Sequence, residues 1–217
     1  MEKSGALSDP KETSETKLRI RQVAEDLYVL RGHDGFSFGD IAGLIGTTRA
    51  NIHHHFGNKR RLMTELVEGF AAAAAARIER IWATPGESFA RRMQAQADDL
   101  RSFYTKFNRD PGTRNVWSPI SRIRLDLPVL GTLAEQALEI VNRSYDSCLR
   151  RAIAEAERQG ELRTRIAVPD VVCVLRITFL SCGPVTQDTG SFADVEQLLD
   201  SLSRMIAKPV DSGSGGC

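Results

Sequence analysis

Apolar residues recur at steps of three and four along most of the chain, and no run of strict alternation is long enough for a sheet. Ile20, Val23, Ala24, Leu27 and Leu30 form the first stripe, which Gly32 and the polar His33-Asp34-Gly35 close. Ser37 and Asp40 have the spacing of a capping box ahead of a short helix from Phe38 to Leu44. Gly46 breaks that helix, and Thr47-Thr48 offers the next N-cap. Asn58 caps a long helix with an apolar face of Leu62, Leu66, Val67, Phe70, Ile78 and Ile81. The alanine run from Ala71 to Ala76 favours helix and lets neighbours approach closely. Pro85-Gly86 ends it. A fifth helix spans Ser88 to Phe107, and Asp110-Pro111-Gly112 turns the chain.

The stretch from Arg114 to Leu127 holds Pro119 and reads as a short broken helix. Pro128 to Gln159 reads as one long helix with Gly160 at its C-terminal cap. Pro169 opens an eighth helix ending near Gly183, and a ninth runs from Ser191 to Ala207. The pattern therefore predicts an all-α protein of about nine helices. A helix-turn-helix unit at 17–62 precedes a larger helical unit at 63–207. The polar arm 1–16 and the Gly/Ser-rich tail 208–217 are expected to be disordered.

With 217 residues the chain makes one domain or two. A chain of this length buries roughly 70% of its extended surface and needs no disulfide or metal staple. The four cysteines form no CxxC pair and read as free thiols, with Cys173 and Cys182 expected to be buried. Met1 to Thr16 has no hydrophobic signal core. The longest apolar stretch, Val168 to Gly183, is interrupted by Pro169, Asp170 and Arg176 and falls short of the ~20 residues of a membrane span. A cytoplasmic protein without membrane contact is the expectation. The net charge of +1 argues against a basic-tail nucleic-acid binder but leaves room for a local basic face.

That face is found at Lys17 to Arg61, where eight basic residues stand against four acids and all four histidines lie. Within it, FGDIAGLIGTTRANIHHHF (Phe38 to Phe56) places two short helices around a glycine turn. Ile41, Ala42, Ile45 and Ile52 lock them together, which is the plan of a helix-turn-helix whose second helix enters the DNA major groove. Lys17 to Leu62 resembles the DNA-binding domain of TetR/AcrR (tetracycline-repressor-like) transcription regulators. The resemblance rests on Ile20, Ala24, Leu27-Tyr28, Ser37, Asp40-Ile41-Ala42, Gly46, Thr48, Ile52 to Phe56, Lys59 and Leu62. The chain departs from that pattern at Arg21, Thr47 and His53.

The resemblance implies roles. Thr48 caps the recognition helix near a phosphate, and Arg49, Asn51 and His54 face the bases, where Arg pairs with guanine and Asn with adenine. His53 and Lys59 contact phosphate, with Thr47, Ser37 and Lys17 completing the set. It further implies a second domain that binds a small molecule releasing DNA; Phe103, Phe107, Trp117 and Tyr145 are the candidate cavity residues, against a reading as plain core. The near-continuous apolar surface of the eighth helix calls for cover from a second subunit. A twofold homodimer through Val172, Leu175 and Phe179, with Leu198 and Leu202 of the last helix, is expected to set two reading heads on a palindromic operator.

Competing signals are weaker. Gly35-Phe36-Ser37-Phe38-Gly39 matches the G-x-S-x-G nucleophile elbow, but a helix precedes it and no sheet supports it. Ser14 and Lys17 match S-x-x-K without partner motifs. His53-His54-His55 point about 100° apart on a helix, a poor arrangement for one metal ion. The expectation is a ligand-responsive repressor with no cofactor or metal and no enzymatic activity. A regulator of the same fold without a ligand is the alternative, and an all-α enzyme is a remote one.

Overall fold

A computed structural model of the chain describes residues 10–163 and 167–208. Ten helices are present among them: α1 (Pro10–Arg31), α2 (Phe38–Ile45), α3 (Arg49–Phe56), α4 (Lys59–Trp82), α5 (Phe89–Phe107), α6 (Pro119–Leu125), α7 (Leu127–Leu130), α8 (Thr132–Arg158), α9 (Val168–Thr189) and α10 (Ala193–Ile206). The only sheet-like pairing among the described residues is an isolated antiparallel bridge between Leu162 and Ala207. The fold is all-α.

Three boundaries differ from those the sequence suggested, each for a local reason. The arm expected to be disordered through Thr16 is helical from Pro10, because proline suits a first helical turn and no breaker follows it. The long helix expected from Pro128 begins at Thr132; Pro128 ends up in the four-residue α7, and Gly131, at φ 53°, separates the two. The eighth predicted helix does not stop at Gly183 but runs as α9 through Pro184 to Thr189, with Gly190 as its C-cap. Proline there removes the N–H that would bond the Leu180 carbonyl, and the Arg124 guanidinium donates to that oxygen instead at 3.2 Å. Gly183 has to be bare, since a Cβ there would lie 2.6 Å from Ser121 Oγ of α6. The proposed disordered tail lies outside the described residues apart from Lys208, whose N–H donates to the Glu161 carbonyl.

One continuous hydrophobic core runs from Ile20 to Ile206. The long α4 joins its two ends: it meets α1 and α3 on one side and α5, α6 and α8 on the other, and it buries residues from Leu62 to Trp82 along its length. α8 lies along α4, and α9 lies along α8. The two alanines that α4 buries, Ala71 and Ala74, permit that close approach. By length and composition alone α9 is able to cross a membrane. In the fold it is a body helix that buries Val171, Val172, Leu175, Phe179 and Cys182 inside the protomer.

That burial corrects the expected subunit interface. Val172, Leu175 and Phe179 face their own core. The outward face of α9 carries Val174 and Ile177, both about half exposed, together with exposed Cys173. Leu198 of α10 is exposed and Leu202 half-buried, with Met205 exposed beside them. Cys173 is thus not the buried thiol the sequence suggested. Cys182 is buried, and desolvation pushes its thiol up to about 12.

Candidate nucleic-acid interface and cavity

Each turn of the N-terminal unit is closed by a polar contact that its sequence provides. Ser37 caps α2 through a complete capping box: its N–H donates to Asp40 Oδ2 at 2.8 Å, and its Oγ accepts from the Asp40 N–H. The Ser37 hydrogen bonds hold the Asp40 carboxyl below the usual carboxylate range. Gly46 takes the left-handed conformation (φ 70°) that a two-helix turn needs, and the Thr47 N–H reaches back to the Ala42 carbonyl at 3.0 Å. Thr48 caps α3 by accepting from the Asn51 N–H at 3.2 Å. Ile52 and Phe56 of α3 are fully buried, which fixes the opposite face outward.

On that outward face Thr48, Arg49, His53 and His54 are exposed, and Asn51 is half-buried. The Asn51 side-chain amide donates to Thr47 Oγ1 at 3.0 Å, which holds its orientation and leaves its carbonyl and second N–H free for a base edge. His53 Nδ1 is 2.8 Å from the Gly57 carbonyl, so it carries the proton and leaves Nε2 on the outer side. The His53 ring also meets Phe38 edge-on at 4.8 Å between centroids. His55 turns away; desolvation, with His54 and Lys17 nearby, lowers its pKa.

Two predicted phosphate contacts are already occupied within the domain. Lys59 Nζ donates to the Phe36 carbonyl at 2.6 Å and lies over the Phe36 ring, tying α4 to the loop before α2. Lys17 pairs with Glu65 at 3.2 Å and lies over Phe56, tying α1 to α4. Each is first a strut. Arg60 and Arg61, exposed at the N-terminus of α4 beside the Asn58 cap, are basic groups the sequence reading left unassigned. Their position after an N-cap asparagine was the available signal.

The body holds a cavity of about 50 Å3 among α4, α5, α6, α8 and α9. Phe103, Trp117 and Tyr145 line it. Phe107 does not; it lies at the end of α5 under the Lys106 ammonium. Trp117 Nε1 donates to Thr186 Oγ1 at 2.6 Å, and Trp82 Nε1 donates to Gln96 Oε1 at 2.9 Å. Arg77, Gln96 and Asp99 are the polar lining groups missed in the sequence, where nothing distinguishes them from solvated helix positions.

The short α6 touches both regions. Its first residues, with Ser118 before them, line the cavity. One turn on, Arg122 donates to the Val29 and Leu30 carbonyls at 3.0 Å each, at the C-terminus of α1. Asp126 accepts from the His33 N–H at 2.8 Å. The Tyr28 hydroxyl is buried beside Asp126 without a well-aligned hydrogen bond; desolvation and that carboxylate push its pKa far above the usual tyrosine value.

A capped two-helix unit with a basic, outward second helix, set on a helical body, defines the class: a helix-turn-helix protein of two-part, all-helical build. Residues 20–66 match the family described as bacterial regulatory proteins, tetR family. The chain is 39% identical over 57 residues, 26% of its length, to the HTH-type transcriptional regulator TtgR of Pseudomonas putida. That stretch spans 27% of the relative. Over the whole chain the fold is similar to a TetR-family transcriptional regulator from Agrobacterium tumefaciens, with TM-score 0.74, 19% identity and coverage of 90% of this chain and 100% of that one. It is also similar to a putative transcriptional regulator from Saccharomonospora viridis in complex with choline, with TM-score 0.68, 22% identity and coverage of 90% and 99%. Identities this low speak to the fold alone.

Proposed function

We propose that the protein is a cytoplasmic, homodimeric transcriptional repressor that binds a palindromic operator and is released from it by a small-molecule effector. The observation that carries DNA recognition is α3. Its inner face is fixed by Ile52 and Phe56, its start by the Thr48 cap, and Asn51 is oriented by Thr47. Arg49, Asn51 and His54 read base edges, whereas Thr48, His53 and the Arg60-Arg61 pair hold the backbone. Ser37 supports the head through its cap, and Lys17 and Lys59 support it as struts. The reading is of a regulator rather than an enzyme.

Dimerisation in this proposal uses the outward faces of α9 and α10, with Val174, Ile177 and Leu198 at the centre. Two heads related by a twofold axis then meet half-sites one helical turn, about 34–36 Å, or a multiple of it apart. A gel-shift titration with the DNA upstream of the protein's own gene tests recognition. Half-site symmetry in the footprint is expected, and binding indifferent to sequence overturns the proposal. Sedimentation of Ile177→Asp is expected to show monomers that lose operator affinity.

The effector half of the proposal rests on α6, which forms part of the cavity wall and also holds the end of α1. A ligand that displaces α6 changes the seat of the reading head, with a coupling of about 1–3 kcal/mol typical of such linkage. The small size of the cavity favours a second reading, a regulator controlled by a partner protein. The two part in the gel shift: small molecules release the DNA in the first and leave it bound in the second.

A further inference from the structure

The cavity wall divides into an apolar interior and a charged mouth. Trp117, Tyr145 and Phe179 form the interior and are all buried. The mouth is Arg77 of α4 and Asp99 of α5, whose side chains keep 24% and 19% of their exposure. The Arg77 guanidinium stacks on Phe103 at 4.5 Å. Its Nε is 3.5 Å from Asp99 Oδ1, an ion-pair distance, yet that buried N–H makes no hydrogen bond. A buried guanidinium N–H without an acceptor is costly and favours a ligand that brings one.

The charges around this mouth are unequal. Asp99 faces two guanidiniums from α4, Arg77 and Arg80, and the Tyr145 hydroxyl from α8; the Cys182 thiol of α9 stands near that hydroxyl. Burial raises the Asp99 pKa, against the opposing pull of Arg77 and Arg80. A cationic ligand would add a third positive charge opposite one carboxylate. It would also find the Phe103 face already covered by Arg77.

We propose that the cavity takes a flat aromatic monocarboxylate, its ring among Trp117, Tyr145 and Phe179 and its carboxylate on Arg77, in the place Asp99 now holds. This rests on reading the cavity as the effector site. Asp99 yields by taking a proton from solvent, because two carboxylates at one guanidinium repel. Binding therefore takes up a proton and weakens as pH rises. A cavity of about 150 Å3 holds a benzene ring, so the ring enters only as the wall retreats. The seven-residue α6, with Ser118, Pro119 and Ile120 at the cavity, is the short element in that wall.

The test is calorimetry on the full chain with three probes of one shape and different charge: benzoate, benzamide and benzamidine. Benzoate is expected to bind about tenfold tighter than benzamide, as for a charge-assisted contact against a neutral one, and benzamidine weakest. Titrations in two buffers of different ionisation heat are expected to show uptake of up to one proton with benzoate and none with benzamide. Asp99→Asn is expected to tighten benzoate and abolish the uptake, and Arg77→Met to remove the preference for benzoate while retaining benzamide. Equal or better binding of benzamide or benzamidine overturns the carboxylate assignment; if those probes also release DNA, the effector-site reading stands. Failure of all three to bind overturns the aromatic monocarboxylate, and the gel shift alone then decides the effector-site reading. Binding of benzoate with no proton uptake overturns the role of Asp99.

Discussion

In the reading head, each turn is held by a particular polar contact: Ser37 with Asp40, Gly46 with its positive φ, Thr48 with Asn51, Asn58 with Arg61. In the body, Ser88 and Ser118 cap α5 and α6, but α7 to α10 have no side-chain cap and the helices are held by volume, with Trp82, Trp117, Phe89 and Ile123 almost wholly removed from water. Polar contacts are specific to residue type and spacing, so a head of this kind keeps a recognisable sequence. Volume is met by many combinations of apolar side chains. This explains why likeness to TtgR reaches 39% over a stretch one quarter of the chain long, while whole-chain fold relatives stand at 19% and 22%.

The largest expected effect falls on the volume side. Trp117→Ala leaves a void and removes the indole N–H that Thr186 Oγ1 accepts, and is expected to cost about 3–5 kcal/mol in urea unfolding. The operator affinity of the protein that remains folded should be unchanged; a matching loss there would break the division between the two regions. Arg49→Ala is the reverse case. It is expected to cost about 1–3 kcal/mol of discrimination at one base pair, read by competition between operator variants. Its unfolding midpoint should stay close to that of the parent.

Thr48→Ala joins the two kinds of effect. Loss of the cap is expected to cost about 1 kcal/mol of stability, with a weaker phosphate contact visible in the gel shift. If stability alone changes, Thr48 is a structural residue only. The smallest effect is that of pH. Lowering it from about 8 to 6 at fixed salt is expected to tighten operator binding a few-fold as exposed imidazoles gain charge. His53 and His54 are exposed on the outward face, whereas His55, its pKa lowered by desolvation, lies off it, so His53→Gln with His54→Gln should flatten the response and His55→Gln should not.

The head was legible in the sequence almost residue by residue, because caps and glycine turns leave a local signature. The free ends of Lys17 and Lys59 were not: their partners, Glu65 and the Phe36 carbonyl, lie 48 and 23 residues away, and only the fold brings them together. In the body the periodicity marked the helices but not which way they turn. α9 is apolar nearly all round, so its pattern does not separate Leu175, buried in its own protomer, from Ile177, turned outward. Arg77 and Asp99 gave no signal either, since on a helix of ordinary charge density only burial makes them unusual.

Arg124 reaches the Leu180 carbonyl that Pro184 leaves without its usual donor, and Arg122, two residues earlier, holds the end of α1. The seven residues of α6 thus behave as a beam pinned at three points: cavity, reading head, and the helix whose outer side faces away from the protomer. Such a beam has no motion private to one of its ends. In the proposed dimer, pressure from inside the cavity would be divided between the angle of the head and the set of α9, so that subunit contact and DNA contact share one mechanical degree of freedom.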